Sequence, residues 1–169
     1  MTAIDVQRPQ KLYRYSERPW LERSLTLGEF RLRPPVHTAA ANLMQPAPVH
    51  NYLTLSLTQV WNESLFDTFA GNSCLIIHDT EEFGERMHRA AQKLLPSWAG
   101  IDAAVSYGVN SPLGSAFSKP RGNAGEREWM FAWRPMQAAL SLHPVFIHIG
   151  NIEDIAELRD KATADNLLH

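Results

Sequence analysis

The chain has 169 residues, of which 44% are hydrophobic and 20% charged, and its formal net charge is -2. This length and composition predict one globular domain over residues 1–169, with residues 1–10 as a flexible tail. A net charge so close to zero does not by itself call for nucleic acid, a membrane or an acidic substrate. The charge is uneven, however, because residues 1–35 are basic and residues 126–169 are acidic.

Cys74, within the apolar run "NSCLIIH", is the only cysteine of the chain. A single cysteine excludes a disulfide within the chain and fits a reducing compartment, and we predict a buried, unreactive thiol. The start "MTAIDVQRPQ" lacks the apolar segment of a secretory signal, and no apolar run is long enough to span a bilayer. We therefore expect a cytoplasmic protein without a membrane partner.

The first third of the chain predicts a strand, a helix and an edge strand. "KLYRY" (11–15) has aromatic residues at alternate positions, which is typical of a short strand. "RPWLERSLTLGEF" (18–30) has apolar residues at helical spacing and indicates a helix that ends near Gly28. "FRLRPP" (30–35) alternates and then meets two prolines, so we predict an edge strand or extended segment.

The middle of the chain predicts the two clearest elements. "NYLTLSLTQ" (51–59) places three leucines on one face and hydroxyl-bearing residues on the other, which predicts a strand. "DTEEFGERMHRAAQKLL" (79–95) has a capping residue, acidic residues in its first turn and a following proline, which predicts a helix. Between them we predict a helical turn that ends at Gly71 and a buried strand, "SCLIIHD" (73–79).

The last third predicts three strands, a long loop and a closing helix. The strands are "AAVSYGV" (103–109), "EREWMFAWRP" (126–135) and "HPVFIHIG" (143–150). Residues 110–125 are rich in Gly, Pro and Ser and predict a mobile loop of the kind that covers a site, and residues 151–168 predict a helix. Strands and helices interleave loosely, with enough strands for two small sheets, so we predict the α+β class.

A pair of carboxylates begins the strand predicted at residues 126–135. Alternation puts Glu126 and Glu128 on one face and Trp129, Phe131 and Trp133 on the other, so the aromatic face is expected to be the buried one. Cα atoms two residues apart on a strand are roughly 6 to 7 Å from each other. Two carboxylates that close in a partly dry site raise at least one pKa and permit proton transfer, whereas in open water the same pattern is a solvated strand face.

Three stretches resemble a widespread bacterial and phage family of unknown function. They are "LYRY" at the start, residues 53–83 around "LTLSLTQVWNESLF", and residues 105–131, which end in "AFSKPRGNAGEREWMF". The resemblance extends from residue 11 to about residue 157. It implies a shared fold but assigns no activity.

A second resemblance is to the mono-ADP-ribosyltransferases of the Arg-Ser-Glu class. That class carries an arginine on a first strand, a serine on a second, and Glu-x-Glu at a third after a mobile loop. This chain has Arg14, Ser56 and Glu126-x-Glu128 in the same order, but Ser56-Leu57-Thr58 replaces the frequent Ser-Thr-Ser. A glycine that often follows the arginine is also replaced. The resemblance implies split antiparallel sheets with a few flanking helices and NAD, as a substrate, in the cleft between them.

The resemblance also implies a role for each residue of the motif. Arg14 would bind the pyrophosphate of NAD, because a guanidinium is a planar and permanently charged donor. Ser56 would bond near the nicotinamide ribose, and Glu128 would accept from a ribose hydroxyl and stabilise positive charge on the sugar as nicotinamide leaves. Glu126 would orient or deprotonate the acceptor.

Further cofactor contacts are expected around the Ser56 strand. Thr58 is predicted to contact NAD, and Tyr52, Trp61 or Phe66 is predicted to stack on the nicotinamide ring. The resemblance implies a bacterial or phage toxin or effector that acts in the cytoplasm, its own or that of a target cell. It would transfer ADP-ribose to a protein or nucleic acid, or hydrolyse NAD. An antitoxin or immunity protein is then an expected partner.

A non-catalytic alternative stays open at this point. In a nucleotide-sensing or protein-interaction module of the same fold, Glu126 and Glu128 would be a solvated strand face and Arg14 would pair with an ordinary acid. Within the enzyme hypothesis, nucleic acid bound by the basic N-terminal third is also open as the modified acceptor, and it predicts a basic surface beside the cleft. No metal site is predicted, because the seven histidines lack the spacing of a zinc-binding helix.

Overall fold

The structure is a computed structural model that describes residues 7–34, 52–136 and 143–162, and its fold is mixed α+β as predicted. Three α-helices are found in the described residues: α1 (Arg18–Leu27), α2 (Ser64–Thr68) and α3 (Thr80–Leu94). The strands are β1 (Leu12–Ser16), β2 (Glu29–Leu32), β3 (Leu53–Thr58), β4 (Ser73–Ile77), β5 (Trp98–Ala104), β6 (Ser106–Tyr107), β7 (Ser118–Lys119), β8 (Glu128–Pro135), β9 (Val145–His148) and β10 (Ala156–Asp160).

The strands form one large sheet and two small ones. The large sheet has the order β10-β4-β1-β3-β8-β5, and all its neighbours are antiparallel. β2 pairs with β9 in an antiparallel ribbon, and β6 pairs with β7 in a short parallel one. No helix in the described parts of the chain is long and apolar enough to cross a membrane.

Local sequence explains the two longer helices. The α3 helix begins after Asp79, whose carboxylate accepts from the backbone N–H of Glu82 at 3.0 Å and so satisfies one unpaired donor of the first turn. The α1 helix ends at Gly28, which is left-handed with φ 63°. A side chain is excluded there, since a Cβ would lie 2.2 Å from the carbonyl oxygen of Gly150. The sequence predicted that α3 has a capping residue at its start and that α1 ends near Gly28, and both predictions are confirmed.

The main core lies on one face of the large sheet. The leucines of β3 and the aromatic residues of β8 point to this face, where α3 and the β2–β9 ribbon cover them. Its buried side chains include Trp129, Phe131, Trp133, Phe83, Phe30, Leu53, Leu57 and Leu75. The buried aromatic face predicted for residues 126–135 is thus confirmed. The opposite face is also buried in part, by an aromatic cluster around Phe66 and an apolar cluster around Phe117.

The predicted helix over residues 151–168 is wrong. Residues 156–160 form β10, which pairs with all of β4 from Ala156 opposite Ile77 to Asp160 opposite Ser73. Ile152 and Ile155 have the spacing of a helix face, but both are buried before the strand begins. The hydrogen bonds offered by the edge of β4 outweigh local helix propensity here. Residues 163–168 lie outside the described residues.

Two boundaries in the second half also differ from the prediction. The strand predicted at 103–109 is β5, which begins at Trp98 and ends at Ala104, and the short β6 follows it. Residues 110–125, predicted as a mobile loop, contain a 3-10 helix (Ser115–Phe117), β7 and the start of a second 3-10 helix (Arg121–Glu126). Phe117 anchors this segment, because its side chain is 1% exposed and packs beneath β8.

The large sheet is nearly divided between β1 and β3. These strands share one pair in register, Tyr13 with Thr58. Further along β3, Thr54 pairs instead with Arg33, just beyond β2, with N–O distances of 2.7 and 3.0 Å. Because β3 leaves β1 to meet the end of β2, a cleft opens between the two strands.

Candidate functional site

The cleft between β1 and β3 has a volume of about 630 Å³. Its walls come from β1, β3, the end of β2, the start of β8 and the segment 115–123. Five of the residues predicted for the site line it: Arg14, Tyr52, Ser56, Thr58 and Glu128. Residues far apart in the sequence meet here because β1, β3 and β8 are neighbours in the sheet.

The Glu128 carboxylate lies at the floor of this cleft and is 3% exposed. Its Oε1 accepts from the Ser56 hydroxyl at 2.7 Å, since Glu128 pairs with Thr58 and so lies diagonal to Ser56. Its Oε2 forms an ion pair with Lys119 and lies 3.5 Å from the Tyr107 hydroxyl. A buried carboxylate is held here by two hydroxyls and an ammonium group.

Tyr107 and Lys119 reach Glu128 together because they are opposite one another in the β6–β7 pair. The Tyr107 hydroxyl also accepts from the backbone N–H of Glu128 at 2.8 Å, which fixes the first residue of β8. Burial, with the nearby carboxylates of Glu128 and Glu126, raises the pKa of Tyr107 to about 12, so its hydroxyl stays protonated. Spacing in the sequence gives no sign of either contact.

Glu126 does not share a strand face with Glu128, contrary to the prediction. It is the last residue of a 3-10 helix, and Arg127 then turns the chain in a left-handed conformation with φ 41° before β8 begins. The turn keeps the two carboxylates close all the same. Burial, and next the negative charge of Glu128, raise the pKa of Glu126, while Lys119 opposes this. The carboxylate pair therefore exists, although by a turn and not by strand alternation.

Arg14 is half-buried on the β1 wall of the cleft. Its Nη1 donates to the Ser56 carbonyl at 2.9 Å, which satisfies a backbone acceptor in the gap between β1 and β3. No carboxylate of the described residues forms an ion pair with Arg14, Arg31 or Arg33, and all three arginines line the cleft. Burial, with the positive charge of Arg33, lowers the pKa of Arg14 to about 10. Within the described parts of the chain, these three cations of the cleft walls thus have no carboxylate counterion.

The aromatic residues near the cleft are divided between wall and core. Tyr13 and Phe69 line the cleft, although neither was predicted to do so. Phe66, predicted to stack on a ring, is fully buried and lines no part of it. Trp61 packs against Phe66 at 5.4 Å between ring centroids, beneath the guanidinium of Arg159 at 5.5 Å, and also does not line the cleft. Contrary to the prediction, neither residue is placed to stack on a ring bound in the cleft. Both belong to the aromatic cluster behind β1.

Tyr52 and Thr58 do line the cleft, each with a partner of its own. The hydroxyls of Tyr52 and Ser115 are hydrogen-bonded across the cleft, which joins the start of β3 to the segment before β7. The Thr58 hydroxyl donates to the Val60 carbonyl at 2.9 Å and shapes the turn after β3. Thr58 is 3% exposed, so its contribution to the cleft surface is small.

A second buried carboxylate, Asp102 on β5, was not predicted at all. It accepts from Arg8 at 2.7 and 2.8 Å, from the Trp129 indole N–H at 2.8 Å, and lies 2.8 Å from His88 Nε2. Burial raises the pKa of Asp102, but the hydrogen bonds from these three residues outweigh it and hold the pKa below its usual range. Arg8, in the segment predicted as a flexible tail, is thereby tied to the sheet. Asp102 does not line the cleft.

The remaining reactive side chains are weaker candidates for a functional site. Cys74 is fully buried, as predicted, and burial raises the pKa of its thiol to about 12. No group of His, Cys, Asp and Glu within residues 7–34, 52–136 and 143–162 has the arrangement of a metal site. His148 lies 3.1 Å from Glu29 in a surface pair.

Comparison with known proteins found no matching family model, no curated relative and no similar solved structure. The two resemblances noted in the sequence therefore stay predictions.

Proposed function

We propose that this chain is an NAD-dependent mono-ADP-ribosyltransferase whose active site is the cleft between β1 and β3. The observation that carries the proposal is the convergence of Arg14, Ser56 and Glu128 on one cleft. If the chain shares the site of the Arg-Ser-Glu class, these three residues must lie together in the fold. They are far apart in the sequence, so chain connectivity alone does not bring them together. The finer form of the fold, a split ADP-ribosyltransferase-like sheet, belongs to the same proposal and is supported by the divergence of β1 and β3.

The positive walls of the cleft suit the diphosphate of NAD. Arg14 has a guanidinium without a carboxylate partner in the described residues, and a diphosphate offers it bidentate acceptors. Arg33 adds a second charge close enough to lower the Arg14 pKa. Two neighbouring cations repel each other, and a bound dianion removes that repulsion. The rings of Tyr13 and Phe69 offer apolar surface for the nicotinamide or adenine.

The proposed reaction breaks the bond between the nicotinamide nitrogen and C1′ of its ribose. The bond electrons leave with nicotinamide, which becomes neutral, and positive charge develops on the ribose. Glu128 accepts a hydrogen bond from a ribose hydroxyl and stabilises this charge, while Ser56 holds its other oxygen. An acceptor hydroxyl, amine or water then bonds to C1′, and its proton passes to Glu126 or to solvent.

Lys119 contributes to the proposed reaction through its ion pair with Glu128. Its ammonium group forms an ion pair with Oε2 of Glu128. A ribose hydroxyl that donates to Oε2 displaces Lys119, whose flexible side chain is 29% exposed and can turn toward the diphosphate. The carboxylate is then free to stabilise charge on the sugar.

The non-catalytic alternative predicted an acid paired with Arg14 and a solvated face for both glutamates. Arg14 has no such pair among the described residues, and Glu128 is 3% exposed. Both observations favour the enzyme. The remaining alternative is a non-catalytic protein whose cleft binds NAD without cleaving it, because Lys119 keeps its ion pair with Glu128.

The biological part of the proposal follows from the resemblance alone. We propose a bacterial or phage toxin or effector that acts in the cytoplasm on a protein or nucleic acid and is neutralised by an antitoxin or immunity protein. Hydrolysis of NAD by the same site, with water as the acceptor, is the simplest activity to measure.

Glu128→Gln tests the proposal. The purified protein is incubated with labelled NAD, with and without cell lysate, and nicotinamide release is followed. Loss of the carboxylate charge removes the stabilisation of the sugar cation, so release is expected to fall at least about 100-fold. Glu153→Gln, an equal change at an exposed position, serves as the control and should keep the wild-type rate. Absence of turnover in the wild type, or equal turnover in Glu128→Gln, contradicts the proposal.

A second variant separates binding from chemistry. Arg14→Gln is expected to weaken NAD binding about tenfold or more, because a charge-assisted contact to phosphate contributes roughly 1.5–3 kcal/mol. Glu128→Gln is expected to bind NAD with nearly wild-type affinity, as measured by calorimetry. If NAD binds to the wild type and Arg14→Gln weakens it but no turnover occurs, the non-catalytic alternative is the correct one.

A further inference from the structure

We infer that the outer face of the β2–β9 ribbon, together with the mouth of the cleft, binds single-stranded nucleic acid. This nucleic acid would be the acceptor of the proposed transfer. The role of acceptor rests on the proposed function, whereas the binding surface stands on separate observations. They are the alternation of β2, its register with β9, the distribution of paired and unpaired cations, and the continuity of this face with the cleft.

The ribbon has one buried and one open face. Phe30 and Leu32 of β2 point into the main core, so Arg31 and Arg33 point away from it, and both are exposed. Arg31 is directly opposite Phe146 of β9, and paired residues share a face. The Phe146 side chain is 50% exposed. Phe146, Arg31 and Arg33 thus project from the same open face.

This face connects two concave regions. Arg31 and Arg33 line the cleft, while Phe146 lines a groove of about 430 Å³ between α3 and β9. The groove also carries Lys93 and the half-exposed Leu94. A strand of nucleic acid that enters the cleft therefore meets a continuous path across the ribbon to α3.

The cations along this path differ in what neutralises them. Arg86 and Arg89 beside the groove form ion pairs with acids of α3 or with Asp154. Arg31, Arg33 and Lys93 form no ion pair with any carboxylate of the described residues, nor does Arg14 inside the cleft. Other described cations, such as Lys11 and Arg134, also lack an ion pair with a described carboxylate. Arg31 and Arg33 differ from them because they project from the same face as the exposed Phe146 and line the cleft that holds Arg14, and this combination indicates an anionic partner.

The chemistry of this path favours single-stranded nucleic acid over an acidic protein. Guanidiniums bind phosphates through two parallel hydrogen bonds, and exposed aromatic rings stack on bases. Stacking on Phe146 requires a base that is free of a duplex, so a single strand fits better than a double helix. A base that enters the cleft between β1 and β3 would come close to Glu128, which lines the cleft and has Glu126 beside it.

The test measures binding of the full chain, without NAD, to labelled single-stranded DNA and RNA of about 12 nucleotides by fluorescence anisotropy. Arg31→Gln/Arg33→Gln is compared with Lys11→Gln/Arg134→Gln, which removes the same charge from exposed positions outside the cleft and the groove. Titrations between about 50 and 200 mM salt give the slope of log affinity against log salt. The DNA and RNA arms show which nucleic acid is preferred.

The expected result is that Arg31→Gln/Arg33→Gln weakens binding at least about tenfold and lowers the salt slope by about 1.4, since each lost phosphate contact removes about 0.7. The control double variant should retain both affinity and slope. Phe146→Ala should weaken oligonucleotide binding about five- to hundredfold and leave inorganic polyphosphate binding unchanged, because polyphosphate has no base to stack.

Three outcomes overturn the inference: no oligonucleotide binding at about 50 mM salt, equal losses in both double variants, or an oligonucleotide affinity in Phe146→Ala that equals that of the wild type. Its failure can be told apart from failure of the proposed function. Oligonucleotide binding without nicotinamide release would contradict the enzyme alone. Nicotinamide release without oligonucleotide binding would contradict the nucleic-acid surface alone.

Discussion

Two buried carboxylates on adjacent strands of one sheet have opposite surroundings. Glu128 on β8 faces the cleft, and Asp102 on β5 faces the core side, beneath α3. Both are less than 10% exposed and both are bound by a cation and by neutral donors. One residue links the two sites, because Trp129, which follows Glu128 in the chain, donates its indole N–H to Asp102.

The difference lies in what holds each carboxylate. Asp102 receives two hydrogen bonds from the Arg8 guanidinium in a fixed fork, plus bonds from His88 and Trp129, and lines neither the cleft nor the groove beside α3. The partner of Glu128 is the flexible ammonium group of Lys119, and the space beside it is a cleft. Burial of a carboxylate therefore does not identify a functional site. Exchangeable partners and access to a cavity distinguish the two.

The largest predicted effect concerns stability. Asp102→Asn removes the buried counterion of Arg8 and leaves only its ion pair with the exposed Glu81, so we expect the free energy of unfolding to fall by about 3 kcal/mol. Urea denaturation at neutral pH measures it. Asp154→Asn breaks an exposed pair with Arg86 and should cost far less. A smaller loss in Asp102→Asn than in Glu128→Gln would reverse the comparison.

An intermediate effect is expected at the cleft. Lys119→Met leaves the 3% exposed Glu128 without its cation, and we expect the free energy of unfolding to fall by about 1 to 3 kcal/mol. Combining it with Glu128→Gln should restore most of the loss, because no unpaired charge is then buried. Lys93→Met, at a position without an ion pair in the described residues, is the control. Strict additivity of Lys119→Met and Glu128→Gln would show that the pair contributes nothing.

Much of the fold was predictable because its signals are local. The α3 helix carries its own cap in Asp79, α1 ends at Gly28, and β3 and β8 show alternation that follows from the strand geometry itself. Residues 151–168 misled the prediction for a related reason. Their apolar spacing fits a helix, but the free edge of β4 decides the structure, and a pattern read along one segment contains no information about a distant strand.

The candidate site was predictable only in part. Arg14, Ser56 and Glu128 were found because each belongs to a strand and the three occur in a familiar order. Lys119 and Tyr107 were not assigned to Glu128, since their contact depends on the β6–β7 pairing of short segments without a strong pattern. Asp102 and Arg8 are 94 positions apart, and no periodicity links such a pair.

The smallest predicted effect is the pH dependence of the stability that the two carboxylate sites contribute. The pKa of Asp102 is lowered by its partners, so the stability it contributes is full above its unfolded pKa of about 3.9 and is lost as pH falls through the folded value. The pKa of Glu126, beside Glu128, is raised, so its contribution is full below about 4.3 and is lost as pH rises through the folded value. Urea denaturation from about pH 3 to 7 should therefore show two opposite trends. The stability difference between wild type and Asp102→Asn should shrink on acidification below about pH 4, whereas Glu126→Gln should gain on the wild type as pH rises. If both differences changed with pH in the same direction, the pKa of Glu126 would not be raised by its burial and by Glu128, and the two carboxylate sites would not differ in kind.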